Sequence, residues 1–365
     1  MPDYYVGLMS GTSMDGIDAV VVEFGDSSAR IHSALSQPYP NNLRELLIAA
    51  IRKPLNVKLD RSGKLDYWVG ECFRDAAIAV IDKSNFKYKD IIAIGSHGQT
   101  LRHQPNATNP FSLQIGNASI IANGTGITTI SNFRKADITA GGQGAPLVPP
   151  FHRWLFTQEG KARVIVNIGG ITNITILNTH STDILGFDIG PGNVLMDAWT
   201  RLQLGQTFDE SGKWASQGSV IPELLNEFLA DPYFSAAPPK STGFEYFNLT
   251  WLQKFDIRKY DAVDVQSTLC ELSSVSISRS IKEFAPNTQE VFICGGGVHN
   301  LELMHRLSSC SFKTASTASI GVNPDWIEAS AFAWLAMRTI KGQPGNLPSV
   351  TGAAESVVLG DINTP

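Results

Sequence analysis

The chain has 365 residues, 43% of them hydrophobic and 17% charged, with a formal net charge of −5. It carries apolar material for two globular cores and no positive field that would hold nucleic acid or an acidic membrane. Its four cysteines (Cys72, Cys270, Cys294, Cys310) lie far apart with no CxxC pair, which argues against a structural zinc site. The N-terminal stretch lacks the basic and apolar regions of a secretory leader, no run of about 18 apolar residues occurs, and a cytoplasmic protein is expected.

In chain order, YYVGLM (4–9) and AVVVEF (19–24) flank a polar segment with two glycines and two aspartates and read as a β-hairpin. Helical spacing follows over 43–53 and 65–83, the second with Leu65, Trp68, Val69, Cys72, Phe73, Ala76, Ala79 and Val80 on one face. IIAIGSHGQT (91–100) reads as a buried strand that ends in a polar loop, placing Ser96, His97 and Gln99 at the mouth where open α/β sheets bind ligands. The Gly- and Pro-containing stretch 132–150 reads as a functional loop or a crossing between domains. Beyond it RVIVNIGG and ITNITIL (163–177) form a second hairpin, an echo of the first in pattern more than in residues. Helices are expected over 193–204, 219–230 and 264–285, a strand over 291–296 and a helix near 325–341, with a Gly/Pro-containing tail. The expected division is an N-terminal lobe over 1–133, a C-terminal lobe over 134–342, and a tail over 343–365 that packs back on the first lobe.

Three glycine turns follow strands: Gly11-Thr12-Ser13-Met14-Asp15-Gly16, Gly169-Gly170-Ile171-Thr172-Asn173, and Gly295-Gly296-Gly297. Glycine lets backbone N–H groups approach phosphate oxygens, and hydroxyl side chains add donors without charge. Any one turn alone reads as an ordinary hairpin or cap. The three together point to nucleotide binding. The sequence has neither GxxxxGK[ST] nor a GxGxxG opening a helix after its first strand, which disfavours a P-loop kinase and a Rossmann dehydrogenase.

The segments VGLMSGTSMDGIDAVVV, SHGQT, NFRKADITAGGQGAPLVP, NIGGITN, GFDIGPGN, GGGVHN and DWIEASAFAWLA occur in one register from about residue 5 to 340. Together they resemble the anhydro-N-acetylmuramic acid kinase family, with Ile189 standing where the family is associated with threonine. The resemblance implies an α/β, two-lobed actin-like ATPase (ribonuclease H-like) fold with a duplicated domain and a central cleft for ATP, Mg2+ and sugar. It also implies a homodimer acting on a small anhydro amino sugar from cell-wall turnover, whose C1 and O6 are joined internally.

Opening that bridge requires water to attack the anomeric carbon as O6 leaves, which needs a carboxylate base on the water side. Asp188 in GFDIGPGN takes this role, as the family's matching aspartate does; its competing reading is a helix N-cap. Gly11, Thr12, Ser13, Met14, Asp15, Gly16, Asp18, Gly169, Gly170, Asn173, Gly295, Gly296 and Gly297 are expected around the nucleotide. Asp15 or Asp18 is expected near the metal, through water. Ser13, Asp18, His97, Gln99, Arg134 and Glu328 are expected near the sugar, Arg134 on its lactyl carboxylate because guanidinium matches carboxylate in two-point contact. Lys135 reads equally as surface. Two other functions remain open: an ordinary hexose or N-acetylhexosamine kinase acting on a free hydroxyl, and a non-enzymatic ATP-driven binding module of the same fold.

Overall fold

The computed structural model describes residues 3–11, 14–52, 59–178, 184–310 and 312–365. The expected contacts Thr12 and Ser13 lie outside the described residues. The chain opens with strands β1 (Tyr4–Met9), β2 (Gly16–Phe24) and β3 (Ala29–Pro38), then helices α1 (Asn41–Arg52) and α2 (Leu59–Lys83). Next come β4 (Ile91–Ser96), β5 (Gln99–Gln104), β6 (Phe111–Ile115), α3 (Ala118–Thr125), β7 (Thr129–Ser131), α4 (Phe133–Thr139) and α5 (Pro149–Phe156). The middle of the chain holds β8 (Arg163–Ile168), β9 (Ile171–Leu177), β10 (Leu185–Pro191), α6 (Val194–Leu204), α7 (Pro222–Leu229), α8 (Pro232–Ser235) and α9 (Leu249–Leu252). It continues with α10 (Ala262–Phe284), β11 (Glu290–Cys294), α11 (Leu301–Ser308) and β12 (Thr314–Ser316). The last elements are α12 (Ile327–Ile340), α13 (Pro348–Thr351) and β13 (Asp361–Asn363).

Two compact units result, one from residues 1–155 with 326–365, the other from 156–325. In the first, the sheet order is β13-β7-β4-β1-β2-β3: β1–β2–β3 run antiparallel, while β4 and β7 add parallel to β1. In the second, the order is β10-β9-β8-β11-β12, again an antiparallel meander from β8 to β10 with β11 and β12 parallel to β8. Numbered within each unit, with the separate β5–β6 pair and the extra edge strand β13 left out, both sheets follow 3-2-1-4-5. The weak sequence echo between the hairpins is thus the visible part of a repeated topology.

Chemistry explains why these segments hold their places. Val6, Leu8, Val20 and Val22 are fully buried, as are Val164, Val166, Ile174 and Ile176 in the matching strands, each contributing about 1.5–3 kcal/mol by leaving water. Helix α12 lies directly on β1 and β4 of its unit. A Cβ built on Gly7 would stand 1.8 Å from the Ala329 carbonyl oxygen, and one on Gly95 would stand 2.0 Å from that of Phe332, so only glycine permits this approach. In the second unit α10 runs buried past β10, and its Ser273 hydroxyl reaches the carbonyls of Pro191 and Gly192 at 3.1 and 2.9 Å.

The structure corrects two expectations. Residues 132–150 are not an irregular crossing throughout: α4 forms inside them because Phe133 and Asp137, four apart, share one buried face, and α5 begins at Pro149. The division also falls at 155/156 and 325/326 rather than at 133/134 and 342/343, because α12 completes the first sheet's core and β13 pairs with β7 at its edge.

Candidate active site

In the first unit the β1–β2 turn is clamped from several sides. The Ser10 hydroxyl lies 2.8 Å from both the Gly16 carbonyl and Gln99 Oε1, and Gln99 Nε2 donates to the Gly11 carbonyl at 3.3 Å. Tyr39, whose hydroxyl donates to Gln99 Oε1 at 3.5 Å, is pushed above its ordinary pKa by burial. From α1, Arg44 donates to the Met14 carbonyl at 3.0 Å and to Asp15 Oδ1 at 2.8 Å, spanning the turn where Met14 holds a left-handed φ of 54°. The structure therefore places Gln99 behind the β1–β2 turn as its bracket. Asp15 is exposed and paired with Arg44, whereas Asp18 lies within β2 opposite Met9 and Ser36. Neither Arg44 nor Tyr39 was singled out by the sequence, which carries no motif that ties a distant helix to this turn.

His97, at the end of β4, is 4% exposed. Arg134 on α4 sets Nη2 and Nε at 3.0 and 3.3 Å from its Nε2. Guanidinium only donates, so Nε2 accepts and the imidazole is neutral with its proton on Nδ1. Burial, and then the Arg134 charge, hold its pKa well below the ordinary value. Arg134 and His97 are thus one unit of structure. Lys135, beside Arg134, is exposed and faces Asp361 at 3.6 Å. Glu328 lies half-buried in the first turn of α12.

A cavity of 420 Å3 opens in this unit where β4 and β7 end. Ser96, His97, Asp66, Gln114, Asn117 and Asn132 are among its lining, a wall of amides and hydroxyls with one carboxylate. Gly95 abuts α12, so Ser96 projects to the other face of the sheet; its hydroxyl is buried without a protein partner among the described residues. Such a wall suits a polar, hydroxyl-bearing ligand.

The second unit repeats the clamped turn. Gly192, Asn193 and Val194 donate their N–H groups to the carbonyls of Gly170, Gly169 and Gly170 at 2.8, 2.9 and 3.1 Å, fastening the β8–β9 turn to the start of α6. Among the described residues, Thr172 Oγ1 and Asn173 Oδ1 are buried there without protein partners, polar atoms that a bound ligand or water would satisfy. After β11, Gly295 takes φ 77° and donates to the Pro324 carbonyl, while a Cβ on Gly297 would stand 2.3 Å from Ile168. Gly296 has nothing within 4 Å of such a Cβ, nor has Gly11 in the first unit, so both present open backbone.

Asp188 lies in β10, not at a helix N-cap; that position before α6 belongs to Asn193. It is 8% exposed, and its Oδ2 accepts the Thr242 N–H at 3.0 Å. Its backbone N–H donates to the Lys240 carbonyl at 3.1 Å, and the Tyr233 hydroxyl donates to its carbonyl at 2.8 Å. Tyr233, Lys240 and Thr242 lie in a stretch with little periodicity, which is why sequence reading passed over them. Among the described residues no three of His, Cys, Asp and Glu gather as a metal site.

Two units of one 3-2-1-4-5 topology, each opening on a glycine-turn hairpin, define the ribonuclease H-like α/β class of actin-like ATPases and sugar kinases. Within that class a sequence model of the anhydro-N-acetylmuramic acid kinase family matches residues 3–365. The chain is 48% identical over 361 residues to the anhydro-N-acetylmuramic acid kinase of Shewanella sp. strain MR-4, with 98% of this chain and 97% of the relative covered. Against the enzyme of that name from Coxiella burnetii strain Dugway 5J108-111 it is 44% identical over 362 residues, covering 98% and 96%. Among solved structures, the activator of 2-hydroxyisocaproyl-CoA dehydratase from Clostridium difficile with bound ADPNP superposes with a TM-score of 0.47 at 12% identity, covering 93% and 96%. The chain belongs to the anhydro-N-acetylmuramic acid kinase family and is a phosphotransferase.

Proposed function

We propose that the protein uses ATP to open the 1,6-anhydro ring of 1,6-anhydro-N-acetylmuramic acid with water and to phosphorylate O6, giving N-acetylmuramic acid 6-phosphate and ADP. The observation that carries this reading is Asp188: a buried aspartate on a strand, its backbone held at two points and its carboxylate by the Thr242 N–H, within a chain whose family is named for this substrate. Asp188 takes a proton from water as the water oxygen bonds to C1. The C1–O6 bond breaks, and O6 accepts the γ-phosphoryl group in place of the proton a glycosidase acid would give. Gly11, Gly169, Gly170 and Gly296 offer backbone N–H groups to the phosphates, Asn173 its side-chain NH2, and Gly295 and Gly297 shape the adenosine turn. The polar cavity at Ser96 and His97, with Arg134 beside it, is assigned to the sugar, and Glu328 at the start of α12 is proposed as a further sugar contact.

Mg2+ would neutralise phosphate charge when bound. Asp18 in β2 would hold its hydration shell there, while Asp15 stays with Arg44. A cytoplasmic homodimer serving cell-wall recycling and amino-sugar catabolism completes the reading; among the described residues no helix is long and apolar enough to cross a membrane.

The deciding experiment offers ATP and Mg2+ with either the anhydro sugar or open N-acetylmuramic acid in 18O water. The expected outcome is phosphorylation of the anhydro sugar with one 18O at C1. Phosphorylation of the open sugar alone would replace this reading with an ordinary hexosamine kinase. ATP turnover without any phosphosugar would favour a binding module.

A further inference from the structure

Strand β10 is an edge of its sheet, and an edge strand leaves N–H and C=O groups unpaired unless something covers them. Residues 231–242 do so at Asp188. The Lys240 carbonyl takes the Asp188 N–H, the Tyr233 hydroxyl takes its carbonyl, and the Thr242 N–H takes its Oδ2. The register against β9 shifts between Asp188 and Gly190, where a Cβ on Gly190 would stand 2.9 Å from the Phe234 ring. The covering segment therefore lies flush on the irregular part of the strand.

The segment is itself anchored. Asp231 accepts from the Tyr233 N–H, the Tyr246 hydroxyl and the Trp251 indole at 2.9, 2.7 and 2.8 Å, and Trp251 is part of the unit's core. Lys240 is held as well. Its Nζ donates to the Tyr233 carbonyl at 3.0 Å and lies over the rings of Tyr233 and Phe187 at 4.7 and 5.7 Å. This ammonium group is half-buried, and the carboxylates of Glu283 on α10 and of Asp188 both act on it. Glu245 and Tyr246 act on Tyr233, whose hydroxyl burial and the nearby Asp188 hold protonated.

We infer that Tyr233–Thr242 is the positioning element of Asp188, and that Lys240 within it sets the charge surroundings of the carboxylate. The inference rests on the proposed role of Asp188 as base. Tyr233 and the Lys240 carbonyl fix the backbone of Asp188, the Thr242 amide fixes where its carboxylate points, and Lys240 supplies a fixed positive charge in surroundings where water screens it poorly. Burial lowers the pKa of Lys240 itself, and the carboxylates of Glu283 and Asp188 act in the opposite sense.

The test measures pH profiles of kcat/KM for full-length Lys240→Met, Lys240→Arg, Tyr233→Phe and Asp188→Asn. Removing the positive charge makes the carboxylate easier to protonate, so Lys240→Met moves the acid limb upward by about half a pH unit or more, and Lys240→Arg restores it. Tyr233→Phe lowers kcat about tenfold with KM for both substrates within about twofold, as expected when a base is present but misplaced. An unmoved acid limb in Lys240→Met, or a shift that Lys240→Arg fails to restore, overturns the assignment of Lys240, and this arm stands even if Tyr233→Phe does not fold. Asp188→Asn separates the two levels. If it is inactive while the Lys240 and Tyr233 variants match the wild type, the positioning inference alone fails; if it turns over normally, the role of Asp188 fails with it.

Discussion

His97 shows how the meaning of a residue depends on its partner. Alone in SHGQT it could be a base, but with Arg134 donating to Nε2 and the ring 4% exposed it has no proton-accepting site left to offer. The folded ring refuses a proton that the unfolded chain takes near 6.5. The unfolded state therefore binds more protons, and His97 lowers stability as pH falls below about 6.5. Nitrogen-detected NMR should find the ring neutral, with the proton on Nδ1, at pH 5. Arg134→Met should raise its pKa, though burial keeps it below the ordinary value, and should raise KM for the sugar about tenfold or more if the guanidinium meets the lactyl carboxylate. Asp15 in the first turn and Asp18 in β2 are told apart by their response to Mg2+. Asp18→Asn should raise the Mg2+ concentration needed for half-maximal turnover several-fold, whereas Asp15→Asn, which removes only the exposed contact to Arg44, should leave that concentration within about twofold. Equal responses would reject Asp18 as the residue near the metal.

At the scale of elements, the fit of α12 onto β1 and β4 depends on two missing side chains. Gly95→Ala puts a methyl group 2.0 Å from a helix carbonyl that is part of a continuous backbone, so the helix must lift. Urea unfolding should show a loss of about 3 kcal/mol, with Gly7→Ala giving a similar loss. Elements with a strong period were legible in the sequence: the two hairpins, α2 from its apolar face, the strand ending at Ser96, and α10. Their spacing follows directly from which faces are buried. Strand β3 escaped because its burial alternates weakly over ARIHSALSQP, and β7, β12 and β13 because three residues carry no period. Helix α4 was hidden by the glycines and prolines that follow it. At the candidate site, the glycine turns stood out by residue type, and Asp188 was singled out through the resemblance of GFDIGPGN to the family's motif. The groups that hold them, Arg44, Tyr39, Tyr233 and Lys240, act across 29 to 60 residues of chain and have no local signature.

Across the whole molecule, the first unit is built from both ends of the chain. Asp137 on α4 is fully buried and accepts from the Asn346 amide, the Thr351 hydroxyl and the Gly144 N–H, each at 2.7 Å, so the C-terminal segment is tied to the helix that carries Arg134. Strand β13 adds the last antiparallel pairing at the edge. A chain ending at Gly352 should retain the second unit's cooperative unfolding while the first unit melts several degrees earlier, with a raised KM for the sugar. Loss of both transitions together would show that the tail's effect is not confined to its own unit.

The inserted order of the two units also has a consequence on the ribosome. Synthesis delivers β1 and β4 first, but the helix that seats against Gly7 and Gly95 begins at Ile327, near the end. The apolar face of the first sheet must therefore stay open while residues 156–325 emerge, and those residues form a unit within one continuous stretch. The second-made half of this protein is thus able to fold before the first-made half is finished, the reverse of the usual N-to-C order of domain folding.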